Sequence, residues 1–438
     1  MASSWRKVRL GDLVSIEHGW SFKGDLFADQ LTGLPIVVNI GNFQYTGGFR
    51  FESTLLREYR GPYPKEYELA PGEILLVMTC QTSGGEILGV PARIPDDGRV
   101  YLHNQRMGRV VLKDERADAG YLYYVFLSPA FNSELAITAS GSKILHTSPT
   151  RIEAFEFMFP SLAEQRAIAR VLGALDDKIE LNRRMNETLE AMAQAIFQSW
   201  FVDFDPVRAK AVGRQPVAID AATAALFPDS FEESAVRQIP REWRIRPLDA
   251  VASFLNGLAL QKYPPDSDAS LPVIKITELR SGVTPSSGRA SASIPADYVV
   301  DDGDVLFSWS GSLEVVIWCG GRGALNQHLF KVTSAEYPKW FYYFWVKRHL
   351  PEFRAIASDK ATTMGHIRRH HLAEAKVVVP SPKVVSAADR VLAPLLVQII
   401  LNNQQSRSLA AIRDALLPKL MSGEVRVGEA ARVAGGAG

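Results

Sequence analysis

The sequence predicts an α+β fold built from two repeated units, each followed by a long helix. Three observations lead there: the length, an ordered series of internal matches, and two apolar stripes of heptad spacing. At 438 residues the chain exceeds what one core usually supports, so two domains or a duplicated unit are expected. Self-similarity is the first thing to seek in such a chain.

The matches run in order. WRKVRLGDLVSIEHG, from Trp5 to Gly19, aligns with WRIRPLDAVASFLNG, from Trp243 to Gly257. LPIVVNI at Leu34 resembles LPVIKI at Leu271, and YELAPGEIL at Tyr67 resembles YVVDDGDVL at Tyr298; their β-branched content predicts strands. LHNQRMGRV at Leu102 stands beside ALNQHLFKV at Ala324. YLYYVF at Tyr121 stands beside WFYYFW at Trp340, both expected as core helices. His146 to Pro160 then matches His366 to Pro380 without a gap. Six matches in one order predict a duplication.

Each unit leads into a heptad pattern. In the first, Ile168, Leu172, Leu175, Ile179, Asn182, Asn186, Leu189, Ala193, Ile196 and Trp200 alternate three- and four-residue steps. In the second, Ala388, Leu392, Leu395, Ile399, Asn402, Ser406, Leu409, Arg413, Leu416 and Leu420 repeat the pattern with one charged break. A helix of roughly 40 residues is about 60 Å long and needs a partner for its stripe, which the duplicate supplies. Asn182 and Asn402 in mid-seam would lower stability but disfavour registers that leave an amide unpaired. An antiparallel pair makes the intervening connector a short hop, and Pro394 falls off the seam. The expected organisation is a unit over 1–160, a helix over 161–202, a connector over 203–240, a unit over 241–380, a helix over 381–422 and a flexible tail over 423–438.

Composition narrows the function. Apolar residues make up 47% and charged residues 22%, with no unbroken run of 18 apolar residues and no basic, apolar leader, so a cytoplasmic protein without membrane attachment is expected. The net charge of +1 gives no global pull toward nucleic acid, so any DNA contact must come from local patches. Two cysteines, Cys80 and Cys319, are too few for a disulfide framework or a cysteine-based zinc site and are expected as small buried side chains. No phosphate loop, GxGxxG after a strand, HExxH or NPPY-like tetrapeptide is present. His366, His370 and Glu374 are spaced by four, as metal ligands on one helical face could be. The matching HTSPTRIEA has only His146, which argues against a duplicated metal site, and none is expected.

The polar loops fit nucleic acid better. Lys360, His366, Arg368, Arg369, His370 and His371 crowd twelve residues, with Thr362 and Thr363 among them. Lys and Arg neutralise phosphates, while Ser, Thr, Asn, Gln and Arg reach base edges. The first unit offers Ser140, Ser142, Lys143, His146, Thr147 and Arg151 in the corresponding loop. Two further candidates are the Gln81-Thr82-Ser83-Gly84-Gly85 loop with its counterpart Ser308–Ser312, and the Asn104-Gln105-Arg106 and Asn326-Gln327-His328 pair.

These residues resemble the DNA specificity subunit of type I restriction-modification systems, over about Trp5 to Gly423. The carriers are FPSLAEQRAIARVLGALDDKIELN, SWFVDFDPVRAK and LFPDSFEES, IPREW at the second unit, and LLPKLMSGEV closing the second helix. The resemblance implies a non-catalytic reader in which each unit is a target-recognition domain for one half of a bipartite DNA site. The paired helices would set the spacing and dock two methyltransferase subunits, with translocase-nuclease subunits joining in the full complex. S-adenosylmethionine, ATP and magnesium would be used by those partners, with no cofactor bound by this chain. The second helix departs from the pattern by carrying Lys383-Val384-Val385 where the first has the Glu-Gln of LAEQR. A nuclease or methyltransferase with a cryptic site, and a coiled-coil scaffold that reads no sequence, are the competing readings.

Overall fold

The computed structural model describes residues 5–50, 55–82, 84–234, 237–265, 269–359 and 365–435. The chain divides into two compact units, Met1–Lys178 with Leu409–Gly438, and Ile179–Ser408. Each takes in one sequence repeat and a part of each long helix.

In the first unit a four-stranded antiparallel sheet has the order Val14–His18, Met107–Leu112, Ile74–Val77, Pro91–Arg93. Its centre is the fully buried run Ile74–Val77, where apolar side chains point to both faces. A smaller sheet sets Ile36–Val37 parallel to Tyr101–Leu102, which is antiparallel to Glu68–Leu69. Arg6–Arg9 pairs with Glu156–Phe159. The YLYYVF stretch forms the helix Ala119–Phe126, buried from Tyr121 onward and capped by the Asp118 carboxylate, which accepts the Tyr121 N–H.

The second unit repeats this topology. Its larger sheet has the order Ser253–Asn256, Leu329–Thr333, Val305–Ser308, Val315–Ile317. In its smaller sheet Ser270–Ile274 runs parallel to Gly323–Leu325, which is antiparallel to Val299–Val300, and Arg289–Ser291 adds an edge. Arg244–Pro247 pairs with Lys376–Val379 as Arg6–Arg9 pairs with Glu156–Phe159. Strand order and direction coincide, so the duplication read in the letters is a duplication of fold.

Residues expected only to connect the units belong to the second unit's core. Phe204, Val207, Phe227 and Ile239 are buried there with Trp200, Phe201, Trp243, Trp340 and Trp345. Aromatic burial on this scale dominates core energetics, which anchors the end of the first long helix in this unit. Likewise, Val427–Gly435, within the stretch expected as a flexible tail, is a helix with Ala430 fully buried.

The first long helix is Leu162–Phe197, extended by a π-helical turn at Gln198–Val202. It opens with a capping box: Ser161 Oγ accepts the Glu164 N–H and the Glu164 carboxylate accepts the Ser161 N–H. The second runs Pro382–Ser422 and stops at Gly423, whose φ of 74° is the left-handed conformation glycine accepts best. Pro394 lies exposed within it.

Within the first unit Ile168, Leu172, Leu175, Leu409, Leu416 and Leu420 are buried. The charged break is answered there, since Arg413 Nη1 reaches Asp176 Oδ1 at 2.8 Å and Tyr124 Oη donates to the other Asp176 oxygen at 2.7 Å. Burial alone would lower the Arg413 pKa, but Asp176 and Asp414 outweigh it and hold it above the ordinary arginine range.

Within the second unit the seam is polar at its centre. Asn182 Nδ2 faces the Asn402 carbonyl (3.3 Å), Gln405 Oε1 (2.9 Å) and Ser406 Oγ (3.2 Å). Asn402 Nδ2 donates to Asn186 Oδ1, and Asn186 Nδ2 to Asn403 Oδ1. Position 182 thus meets 402–406 and position 186 meets 402–403, the order of an antiparallel pair. The two seam amides do not pair with each other, because each reaches one turn along the facing helix. Ile179, Leu189, Leu395 and Ile399 flank this knot half-buried, and Leu392 is fully buried.

Among the described residues one helix, Pro382–Ser422, is long and apolar enough to cross a membrane, with a mean hydropathy of 1.8 over its most apolar window. An unbroken apolar run was not needed for that average. The helix nevertheless carries bonds to globular elements of its own unit, including Trp340 Nε1 to Asp389 Oδ1 at 2.9 Å and Arg407 Nη2 to Asp302 Oδ2 at 2.7 Å.

Candidate nucleic-acid interface

The loops singled out in the first unit meet at Met78 and Thr79, just beyond the buried strand Ile74–Val77. The Met78 N–H donates to the Arg106 carbonyl at 2.9 Å, and the Met78 carbonyl accepts the Thr147 N–H at 3.0 Å. Thr79–Cys80 pairs with Leu145–His146, and Thr79 Oγ1 lies 3.1 Å from His146 Nδ1. Gln81, Thr82, Lys143 and His146 are therefore neighbours on one exposed edge, and Arg151 follows in the short helix Pro149–Glu153.

The second unit builds the same junction with the same hydrogen bonds. The Trp309 N–H donates to the His328 carbonyl at 3.3 Å, and the Trp309 carbonyl accepts the Ile367 N–H at 3.0 Å. Ser310 bridges to His366 as Thr79 pairs with His146. In both units the turn after the smaller sheet is held by an Asn: Asn104 Oδ1 accepts the Arg106 N–H at 3.0 Å, and Asn326 Oδ1 accepts the His328 N–H at 3.3 Å.

Two glycines explain how these turns sit so close. A Cβ on Gly19 would come within 2.3 Å of the Asn104 backbone, and one on Gly257 within 2.2 Å of the Asn326 oxygen. The backbones then bond directly: the Trp20 carbonyl accepts the Gln105 N–H and the Leu258 carbonyl the Gln327 N–H. These are the glycines that close the first sequence match.

The side chains on this common frame differ. In the first unit Thr82 Oγ1 donates to Glu86, a bond that lowers the Glu86 pKa and keeps it a carboxylate acceptor. Exposed Tyr45 lies close enough to Cys80 and Glu86 for both, after burial, to raise its pKa. In the second unit Trp309 packs near His328 (5.8 Å) and His366 (6.5 Å) and donates to Asn256 Oδ1 at 2.8 Å. Tyr45, Glu86 and Asn256 were missed in the sequence, whereas Trp309 lies in the Ser308–Ser312 loop singled out there, and aligning Val305–Ser308 on Ile74–Val77 places it at the Met78 position.

The basic run after His366 divides. Arg368 is exposed at the start of the helix Arg369–Glu374, whereas Arg369 is tethered, with Nη2 3.3 Å from the Phe254 carbonyl and its guanidinium 5.7 Å from the Phe330 ring centroid. Lys360, Thr362 and Thr363 lie outside the described residues.

His366 precedes that helix in extended backbone, so it shares no helical face with His370 and Glu374. The groups that do converge, within 4.8 Å, are His370, His371 and Glu374. His371 Nδ1 accepts the Arg368 N–H at 3.0 Å, which leaves the ring proton on Nε2, the one atom a metal would need. Two ligands on one short helix remain, too few for a structural ion site. Cys80 is buried but Cys319 is only half-buried, within 3.8 Å of Asn403 Nδ2.

Comparison with known proteins bears on this duplicated architecture. A family model described as the type I restriction modification DNA specificity domain matches residues 2–191. The MjaIX specificity subunit of Methanocaldococcus jannaschii is 27% identical over 335 residues, covering 74% of this chain and 73% of its own. The HindI specificity subunit of Haemophilus influenzae is 25% identical over 326 residues, covering 63% and 70%. The crystal structure of the type I restriction-modification S subunit from M. genitalium shares the fold, with a TM-score of 0.55 at 14% identity over 95% of this chain and 96% of that one. Residues 2–191 thus match the type I restriction modification DNA specificity domain, and the chain, with its two topologically equivalent units and two long helices, is similar over most of its length to specificity subunits of type I restriction enzymes.

Proposed function

We propose that the two loop junctions are the reading edges of two target-recognition domains, over residues 1–160 and 241–380, each addressing one half of a split DNA site. The observation that carries this is one frame with two sets of side chains. Gln81, Thr82, Lys143, His146 and Arg151 crown the first junction; Trp309, His366 and Arg368 crown the second, with Ser310 buried beneath and Arg369 braced behind them. Identical backbone register with unlike polar groups is what two readers of different sequences need, since phosphate contacts position and base-edge contacts specify. The long helices, over 161–202 and 381–422, would set the gap between half-sites.

The same helices offer a surface for partners. In the second unit Leu181, Met185 and Met192 on one helix, and Val391, Val397 and Leu401 on the other, remain exposed. Apolar side chains left in solvent along both helices suit a protein interface, and methionines suit one that must adapt. Two methyltransferase subunits are the proposed occupants, with translocase-nuclease subunits joining the complete assembly. S-adenosylmethionine, ATP and magnesium would enter with those partners, and the whole would work in the cytoplasm on double-stranded DNA.

The test is salt-dependent DNA binding by the assembled complex. Arg368→Ala and Lys143→Ala should each weaken binding and lower the slope of log K against log salt by about one. Unchanged affinity and slope in both variants would remove these edges from the interface.

A further inference from the structure

We infer that Arg106 and His328 make one base position differ between the two half-sites, an assignment that rests on the reading edges proposed above. The argument begins with what the two junctions share. Asn104 and Asn326 spend their side-chain oxygens on the turn itself, and each is followed by Gln. Gly19 and Gly257 bring the adjoining backbone to the same close approach. Met78 and Trp309 clamp the carbonyls of Arg106 and His328 through equivalent N–H bonds. The backbone at positions 106 and 328 is thus fixed from three sides in the same way, and the residue that changes is the one it presents.

That residue changes chemically. Arg106 is exposed, and among the described residues its guanidinium has no hydrogen-bond, ion-pair or ring partner. A free planar fork of donors on an immobilised turn suits the two acceptors that guanine offers in the major groove. His328 is shorter and held: Nδ1 lies 3.0 Å from Ser310 Oγ, Nε2 lies 3.4 Å from Gln327 Nε2, and Trp309 packs 5.8 Å away. A ring fixed on both nitrogens cannot make the same bidentate contact, so the second half-site should lack the guanine that Arg106 selects at the equivalent position. A free guanidinium would also suit a phosphate, and a base contact is separated from that by whether one position or the whole site loses discrimination.

The experiment is to express wild-type, Arg106→Ala and His328→Arg chains with their methyltransferase subunits in a host without DNA methylation, and to map modified bases across the genome. Arg106→Ala should relax one base pair in one half-site, with discrimination there falling about tenfold or more. The other half-site and the gap should stay unchanged. His328→Arg should shift preference at one position of the opposite half-site toward guanine. A uniform drop at all sites, or an unaltered motif, would overturn the assignment by making Arg106 a backbone contact or a bystander. If the wild-type chain directs no split motif, the reading on which this rests falls, and the assignment with it.

Discussion

Replacing Arg413 with Met tests the ion pair within the first unit. The Arg413 side chain is only 9% exposed, and Asp176 is 26% exposed. Removing one partner of a buried ion pair costs about 3–5 kcal/mol, because the other charge is left uncompensated. Asp176 keeps some water and the Tyr124 hydroxyl, so the low end of that range applies, about 3 kcal/mol. Met preserves most of the packing volume, which isolates the charge. For a unit of roughly 200 residues, a loss of this size should lower its melting transition by about 5–10 °C. Adding Asp176→Leu removes the stranded charge, and the double variant should recover to within about 1 kcal/mol of wild type. Calorimetry and urea unfolding of the four chains give the comparison. A single-variant cost below about 0.5 kcal/mol, or a double variant equal to the sum of the singles, would refute the buried-pair reasoning.

Other consequences can be checked on the same preparations. Asn182 Oδ1 is buried without a partner whereas both ends of the Asn402 amide are engaged, so Asn182→Leu should stabilise by about 1 kcal/mol and Asn402→Leu should destabilise by a similar amount; urea midpoints in the reverse order would contradict this. Gly19→Ala forces a methyl group into the Asn104 backbone and should cost about 1–3 kcal/mol while weakening DNA binding, measured by unfolding and by titration with DNA. Burial lowers His103 to about 4, with Nε2 bonded to the Met107 carbonyl at 2.8 Å, so the unfolded chain binds the extra proton between about pH 4 and 6.5. The stability held above pH 6.5 should therefore fall by about 3 kcal/mol as the pH drops through 4, and His103→Gln should flatten that dependence.

The duplicated topology was legible because both copies keep their strand and helix residues in order, and the seam because heptad spacing survives in single letters. What the letters did not show is where each side chain's partner lies. Arg413 looked like a break, since Asp176 sits next to the seam position Leu175 and its reach across is visible only in three dimensions. Asn182 and Asn402 looked like a matched pair, yet the one-turn offset of an antiparallel pair sends each to other groups. The connector was read only as a link between the units, because no periodic stripe marks it, but Phe204, Val207 and Phe227 seat it in the core. At the candidate interface the polar loops were visible and their convergence was not. The hub residues Met78 and Trp309 carry the junction through backbone atoms, which leave no side-chain signature.

The central claim is that this chain supplies the address for a modification complex. The most direct test is to co-express it with the proposed methyltransferase subunits in a host lacking DNA methylation and sequence the modified bases genome-wide. A split motif with a constant gap, present with this chain and absent without it, is the predicted result. A continuous motif, or one that persists when the chain is omitted, would contradict it.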